Sequence, residues 1–204
     1  MFLHVAARID EGADQLTRAD RAAGDGDHGV GMARGFTAVR HELNSRSFDT
    51  AGELLRTIGQ TLLTSVGGAS GVVFGTFFRE GATQLVGRAT FDADGLRLLL
   101  VDGLRAVQDR GKASPGDKTM VDALAPAVEK ALELSSAPLD QLLSSVRDVA
   151  REGVEKTKTM VARVGKAKTL GERSLGHPDP GALSLYLILD AMAEYVAADR
   201  DAAM

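Results

Sequence analysis

The chain has 204 residues, enough for one domain, and its 44% hydrophobic content can build a substantial core. Its net charge of −4 argues against a nucleic-acid-binding protein, which usually carries a basic surplus. The absence of cysteine excludes disulfides, thiolate metal sites and cysteine nucleophiles, and it fits a cytoplasmic protein. Neither a secretory signal nor an apolar run of about 18 residues is evident, so we expect no membrane segment.

Hydrophobic residues recur at helical spacing along the chain, and no segment alternates with the period of a strand. An all-α, single-domain fold of about eight helices is therefore expected over residues 1–204. The segment 67–78 is apolar nearly all round, which predicts a buried helix. Gly111 is expected to end the fifth helix. We expect the helices over residues 2 to about 19, 32–43, 50–66, 67–78, 96–111, from 117, 142–160 and from 180.

Several helix starts carry recognisable signals. Thr50 is followed three residues later by Glu53, which predicts a capping box. Asp117 follows a Pro-Gly turn and is expected to cap the sixth helix. The pair Asp179-Pro180 predicts the cap and first position of the last helix, because proline fits best where no helical N–H bond is needed.

The most informative stretch lies between the first two helices. Asp20, Asp25 and Asp27 place three carboxylates within eight residues. Carboxylates this close repel one another when ionised, so a proton or a cation must sit among them. Mg²⁺ and Ca²⁺ prefer oxygen ligands, and the stretch therefore predicts a metal loop with a phosphate-bearing ligand. The alternative is an ordinary polar turn, because Gly and Asp are common turn residues.

The order of the loops predicts where they lie. If neighbouring helices run antiparallel, the acidic loop and residues 67–70, 111–117 and 165–179 all lie at the same end. Ser70 and the unpaired amides of its helix start are suited to an anion, although a Gly-rich turn before a core helix explains 67–70 equally well. The order thus predicts one rim that binds a metal–polyphosphate complex.

Four blocks of the sequence together resemble the nucleotide-binding L subunit of dihydroxyacetone kinases. They occur in the family's order, and the resemblance spans residues 10 to 200, nearly the whole chain. Any one block is a weak signal, but the combination is specific. The blocks are Gly-Asp-Gly-Asp-His-Gly at 24–29, Gly-Ala-Ser-Gly at 68–71, Pro-Gly-Asp-Lys-Thr-Met at 115–120 and Gly-Glu-Arg-Ser-Leu-Gly-His-Pro-Asp-Pro-Gly at 171–181.

The resemblance implies a barrel of eight antiparallel amphipathic helices with ADP or ATP bound at one end through two Mg²⁺ ions. Asp20, Asp25 and Asp27 match the family's metal ligands. A separate K-type subunit would hold the substrate, dihydroxyacetone or a similar short ketose, and the L subunit would supply the phosphoryl group. Some relatives use ATP directly, and others keep ADP bound and receive the phosphoryl group from a phosphotransferase-system protein. A homodimer is left open.

The resemblance also implies the residues that contact the nucleotide. Backbone amides from 28–31 and 69–70 would face the phosphates, Gly111 and Met120 would line the nucleoside, and the 179–181 turn would close over it. Lys166 stands where the family usually has arginine, so it keeps the charge without the bidentate fork. The implied set is His28, Gly29, Val30, Gly31, Ala69, Ser70, Gly111, Met120, Lys166, Asp179, Pro180 and Gly181.

Other interpretations remain open from the sequence. His28 lies beside three carboxylates, so a protonated structural histidine is as compatible with the sequence as one that contacts phosphate. Two other functions would use the same site. One is an ADP-sensing adaptor without turnover, and the other is a metal-dependent phosphatase, although no motif resembles a phosphatase nucleophile loop.

Overall fold

The computed structural model describes residues 1–202, apart from the side chain of Ala23. Within that range the chain forms nine α-helices and two 3-10 helices, at Thr83–Leu85 and Lys166–Ser174, and no strand. The predicted all-α class is therefore confirmed. The α-helices are α1 (Phe2–Glu11), α2 (Ala13–Ala23), α3 (His28–Ser45), α4 (Ala51–Ser65), α5 (Gly68–Gly81), α6 (Ala93–Gly111), α7 (Val121–Glu133), α8 (Leu139–Thr157) and α9 (Pro180–Ala202).

The helices form a closed ring. From α3 to α9 each helix packs against the next, α1 packs against α3, and α9 returns to pack against α1. The helix α2 lies outside this ring order and contacts α3 and α9. Eight helices thus make the predicted barrel, and α2 with its acidic C-terminal loop is added at one end.

The ninth helix arises because the first predicted helix is divided at Gly12. We expected one helix over residues 2 to about 19, and the structure instead ends α1 at Glu11 and begins α2 at Ala13. A Cβ at Gly12 would lie 2.9 Å from the Leu187 side chain of α9, so glycine lets the two helices approach at this point. The helical spacing of hydrophobic residues continues across Gly12, so the sequence pattern did not predict the division.

Close helix packing also explains the apolar α5. Its Phe77 and Phe78 rings pack edge to face with centroids 5.0 Å apart in the core. On another side, a Cβ at Gly75 would lie 2.8 Å from the carbonyl oxygen of Gly59 in α4. Glycine thus lets α4 and α5 approach closely, and α5 is buried as predicted.

Some predicted helix ends are confirmed. Thr50 Oγ1 accepts the Glu53 amide at 3.1 Å, and the Glu53 carboxylate accepts the amide of Asp49 rather than that of Thr50. Asp179 Oδ2 accepts the Ala182 amide at 2.7 Å, so Asp179 caps α9 and Pro180 begins it.

One expected helix start was wrong, and one expected helix end is confirmed. Asp117 does not cap α7, which starts four residues later at Val121. Its carboxylate instead accepts the Ser114 amide at 2.8 Å within the preceding turn. The helix α6 does end at Gly111, but the left-handed residue that follows a helix is Lys112, with φ 52°. The loop predicted around 165–181 contains 3-10 turns on both sides of Gly171.

The last helix has the length and composition that would allow it to cross a membrane. Within α9 an 18-residue window has a mean hydropathy of 1.3, and 56% of that window is buried inside the protein. A core helix of a water-soluble protein passes the same test, so this is weak evidence for a membrane span. The search for uninterrupted apolar runs did not single out this helix, because Asp190 and Glu194 interrupt its apolar sequence.

Candidate functional site

The predicted rim forms at one end of the barrel. The His28 ring bridges Ser70 at the start of α5 and Ser184 in the first turns of α9. Lys166 forms an ion pair with Asp25 in the acidic loop. The amide of Arg163 donates to the Asp117 carbonyl oxygen at 3.1 Å and joins the loop before α7 to the segment before α9. The four loops therefore meet as their order predicted.

The three predicted carboxylates come together. Asp20, Asp25 and Asp27 each offer an oxygen, and these oxygens lie within 4.8 Å of one another. Asp20 is buried at the end of α2, whereas the other two are exposed in the loop. The His28 amide donates to Asp20 Oδ2 at 3.0 Å and orients that carboxylate. Three oxygen donors at this separation suit a hard divalent cation.

Gly24 makes room for the buried carboxylate. A Cβ at Gly24 would lie 2.5 Å from Asp20 Oδ1, so a larger residue would push Asp20 from its place. Gly24 therefore preserves one orientation of Asp20 among the three oxygen donors. The acidic loop is thus shaped around its least exposed carboxylate.

Lys166 neutralises part of the acidic loop. Its ammonium is hydrogen-bonded to Asp25 and lies 3.9 Å from Asp27 Oδ2. The hydrogen bond from Lys166 lowers the pKa of Asp25 below its ordinary value, and it raises the pKa of Lys166. Both partners are exposed, so the pair is screened by solvent and a stronger cation can displace it.

The His28 ring is enclosed among three helices. Burial lowers the pKa of His28, although Asp20 and Asp27 oppose that shift. Its Nδ1 lies 2.7 Å from Ser70 Oγ and its Nε2 lies 2.7 Å from Ser184 Oγ. Both ring nitrogens are used, and the ring therefore ties α3 to α5 and α9. Its amide is used by Asp20.

The glycines after His28 serve helix packing. A Cβ at Gly29 would lie 2.2 Å from the Ala13 carbonyl oxygen and 2.3 Å from Thr17 Oγ1 of α2. One at Gly31 would lie 3.0 Å from the Val66 carbonyl oxygen. Val30, between them, is 60% exposed on the rim. These two glycines therefore let α3 approach the backbone of α2 and of the turn after α4.

The start of α5 is open for an anion. Gly67 precedes the helix with φ 79° and has no side chain to cap it, and Gly68 has φ 58°. Ala69 is exposed in the first turn, and Ser70 is half-buried against His28. The Arg34 guanidinium of α3 donates to the carbonyl oxygens of Ser65 and Val66 and holds this turn in place. Amides at such a helix start favour anions.

The residues expected around the nucleoside divide into two groups. Met120 is buried beside the 179–181 turn, where a Cβ at Gly181 would lie 3.4 Å from Met120 Cβ. Gly111 lies at the C-terminal end of α6, and a Cβ there would meet nothing within 4 Å. The structure therefore joins Met120 to the turn and leaves Gly111 in open space.

Sequence reasoning missed two charged residues that hold this half of the rim. Asp122 accepts the amides of Gly116 at 2.5 Å and Thr119 at 2.8 Å and so shapes the loop before α7. Lys118 is buried and reaches across to the segment before α9. Both lie in or next to the Pro-Gly-Asp-Lys-Thr-Met block, but nothing in their spacing separates buried charges from surface charges.

Asp179, whose carboxylate caps α9, is a weaker acid than an ordinary aspartate. Burial raises the pKa of Asp179 to about 7, and Asp122 adds to the shift while Lys118 opposes it. The folded protein therefore holds a proton on Asp179 at pH values where the unfolded chain has lost it. The contribution of this group to the free energy of unfolding is largest below about pH 4 and falls as the pH rises to about 7.

We expect the variant Asp179→Asn to gain stability relative to the original protein as the pH rises from 5 to 8, by about 1–3 kcal/mol. The amide oxygen can still cap α9, and no charge remains to be buried. Denaturant unfolding at both pH values measures the difference. The matched control is Asp92→Asn, another helix cap, because the Gly95 amide lowers the pKa of Asp92 and places its titration below this window. Equal changes at pH 5 and pH 8 for Asp179→Asn would contradict the prediction.

The sequence of the chain matches a known protein family and its members. The family model of the DAK2 domain matches residues 22–194 of the chain. The chain belongs to the DAK2 domain family. This DAK2 domain is 42% identical over 183 residues to a protein of Escherichia coli (strain K12), the ADP-binding subunit DhaL of a PEP-dependent dihydroxyacetone kinase, covering 89% of this chain and 87% of that one. The resemblance to the L subunit is confirmed.

Longer proteins contain a similar DAK2 region. An L-erythrulose 1-kinase of Mycolicibacterium smegmatis is 39% identical over 193 residues, which are 89% of this chain and 32% of that protein. The crystal structure of the dihydroxyacetone kinase from C. freundii in complex with AMP-PNP and Mg²⁺ superposes with a TM-score of 0.74 at 28% identity, covering 95% of this chain and 33% of that chain. The DAK2 chain thus shares its helical fold with one third of that kinase.

Proposed function

We propose that this chain is the nucleotide-binding L subunit of a dihydroxyacetone-type kinase and acts in the cytoplasm as one domain over residues 1–204. It holds ADP or ATP with two Mg²⁺ ions and passes a phosphoryl group to a short ketose carried by a K-type partner subunit. The observation that carries the proposal is the meeting of three carboxylates with the first turns of α3 and α5 at one rim. The names of the relatives, an ADP-binding DhaL and an L-erythrulose 1-kinase, agree with it.

Asp20, Asp25 and Asp27 are the proposed metal ligands. When bound, Mg²⁺ supplies positive charge that neutralises the phosphate oxygens, which is the main requirement of phosphoryl transfer. The chain contributes position, because Asp20 is fixed by the His28 amide and by the space at Gly24. It needs no nucleophile of its own, since the attacking hydroxyl belongs to the ketose.

The remaining site residues divide between the two ends of the nucleotide. We propose that the amides of 29–30 and 69–70 face the phosphates, because those of His28 and Gly31 already donate to Asp20 and Asp27. Lys166 is a movable cation that leaves the acidic loop for the phosphates. Met120 and the 179–181 turn enclose the nucleoside. Gly111 borders the nucleoside from the end of α6, where its lack of a side chain keeps the space open.

The nucleotide content of the purified protein tests the proposal. We expect denaturation to release ADP in near-equal molar amount, and dialysis against EDTA to remove that ADP beforehand, because the carboxylates hold the phosphates only through metal. A protein purified without nucleotide that binds Mg·ATP in calorimetry would support ATP as a phosphoryl donor that exchanges at each turnover. Retained ADP fits rephosphorylation by a phosphotransferase-system protein. Failure to bind either nucleotide with Mg²⁺ would overturn the proposal.

Turnover separates the alternatives. A kinase subunit consumes the nucleotide's phosphoryl group only when the K-type partner and a ketose are present. An ADP-sensing adaptor would bind the nucleotide without ketose-dependent turnover. A metal-dependent phosphatase would release phosphate with no partner at all.

A further inference from the structure

Lys118 is a buried lysine with an unusual backbone. Its side chain is almost entirely enclosed, at 2% exposure, and its φ of 61° lies in the left-handed region that non-glycine residues rarely adopt. A buried ammonium is costly unless its donors are used. Such a costly arrangement at the rim indicates that the position of this side chain matters.

The ammonium of Lys118 joins three separate pieces of the chain. Its Nζ donates to the carbonyl oxygen of Thr157 at 2.5 Å and to that of His177 at 2.6 Å. Thr157 is the last residue of α8, where the unpaired carbonyls and the helix dipole favour a cation. His177 lies just before α9, and Lys118 itself lies in the loop before α7.

A third hydrogen bond closes the same junction. Thr157 Oγ1 accepts the Asp179 amide at 2.9 Å, so the end of α8 holds the start of the 179–181 turn directly. Burial lowers the pKa of Lys118, and the nearby Asp179 and Asp122 oppose that shift. Lys118 and Thr157 therefore fix the loop that ends at Met120 relative to the turn that ends at Gly181.

The two halves of the rim have different main anchors. The carboxylates and the start of α5 are organised by the His28 amide and ring, and by Arg34. The His28 ring also reaches Ser184 of α9, beyond the 179–181 turn, and this link does not pass through Lys118. The junction of Met120 with the 179–181 turn is organised by Lys118. Loss of the lysine should therefore loosen one half and leave the other in place.

We propose that Lys118 is a positioning residue that sets the nucleoside half of the site, so that it governs affinity for the nucleoside and not for the phosphates. This inference rests on the proposed nucleotide site. It assigns to the buried lysine a share of the specificity for a nucleoside diphosphate over a simple polyphosphate. Lys118 touches neither reacting atom and acts through Met120 and the turn.

Calorimetry with two probes tests this role: Mg·ADP and Mg·pyrophosphate, the second having phosphates but no nucleoside. For Lys118→Met we expect affinity for ADP to fall roughly tenfold or more, since small misplacements of binding groups are costly, while affinity for pyrophosphate stays within about twofold. The ratio of the two affinities is the readout. A variant that loses both equally, or neither, would overturn the inference.

Two further variants keep the result interpretable. Thr157→Val is nearly isosteric and removes only the hydroxyl that holds Asp179, so it should change the same ratio in the same direction even where Lys118→Met folds poorly. Ile58→Ala destabilises the core of α4, which lies outside the junction, and should leave the ratio unchanged. If the original protein binds neither probe, the proposed function itself has failed; if it binds both and the ratio does not move, only the role of Lys118 has.

Discussion

Replacing Asp25 and Asp27 together with asparagine is expected to abolish ketose phosphorylation by the subunit pair, with a loss of at least about a hundredfold in kcat/KM. Loss of groups that only support metal ligands typically costs 10–100-fold, and these carboxylates are proposed as ligands themselves. Both side chains are exposed, so the variant should remain folded. The measurement is the rate of ketose phosphate formation with the K-type partner, together with Mg-dependent binding of ADP.

Replacing Asp25 and Asp27 also removes two negative charges, and a second variant controls for that loss of charge. The variant Asp10→Asn with Glu152→Gln also removes two exposed acidic groups, but from α1 and α8, away from the acidic loop. It should retain the original rate. If Asp25→Asn with Asp27→Asn phosphorylates the ketose as fast as this control, the carboxylates do not hold the metal.

Gly29→Ala is expected to lower the free energy of unfolding by roughly 3 kcal/mol, at the upper end of the effects of overpacking. The added methyl would lie 2.2 Å from the Ala13 carbonyl oxygen and 2.6 Å from the Thr17 amide nitrogen. Both atoms are backbone of α2, so relief requires the helices to separate. Denaturant unfolding without nucleotide measures the effect.

Gly111→Ala is the matched comparison. Its methyl group would meet nothing within 4 Å, and Gly111 lies within a helix. Stability should be unchanged or rise by about 0.5 kcal/mol, because alanine restricts the unfolded chain. Were Gly29→Ala as stable as Gly111→Ala but poorer in ADP binding than the original protein, Gly29 would serve phosphate approach rather than helix packing.

The sequence was sufficient to predict the helices and the rim but not the interior of the rim. Helical spacing and the order of loops depend on local pattern and chain connectivity, which survive in a single sequence. The break at Gly12 depends on Leu187, and the enclosure of His28 depends on Ser184, so both are long-range contacts. Lys118 could not be recognised as buried, because lysine in a polar turn is ordinarily exposed.

The glycine-rich acidic block shows the same division. Its composition correctly indicated three carboxylates close together. It did not reveal that Gly24 makes room for Asp20 or that Gly29 makes room for α2. A glycine in a sequence signals that something approaches closely, and only the structure identifies what approaches.

The ring of helices has a consequence for how the chain folds. From α3 to α9 every contact around the ring joins helices that follow one another, so most of the barrel is built from short-range contacts that form quickly. Closure by α1 against α9 spans nearly the whole sequence and includes the ion pair of Arg8 with Glu194 at 3.0 Å. The entropic cost of bringing these distant helices together is offset only when the other helices are already in place. The α1–α9 contact should therefore form last in folding and open first under denaturing stress, which hydrogen exchange of the α1 amides would record.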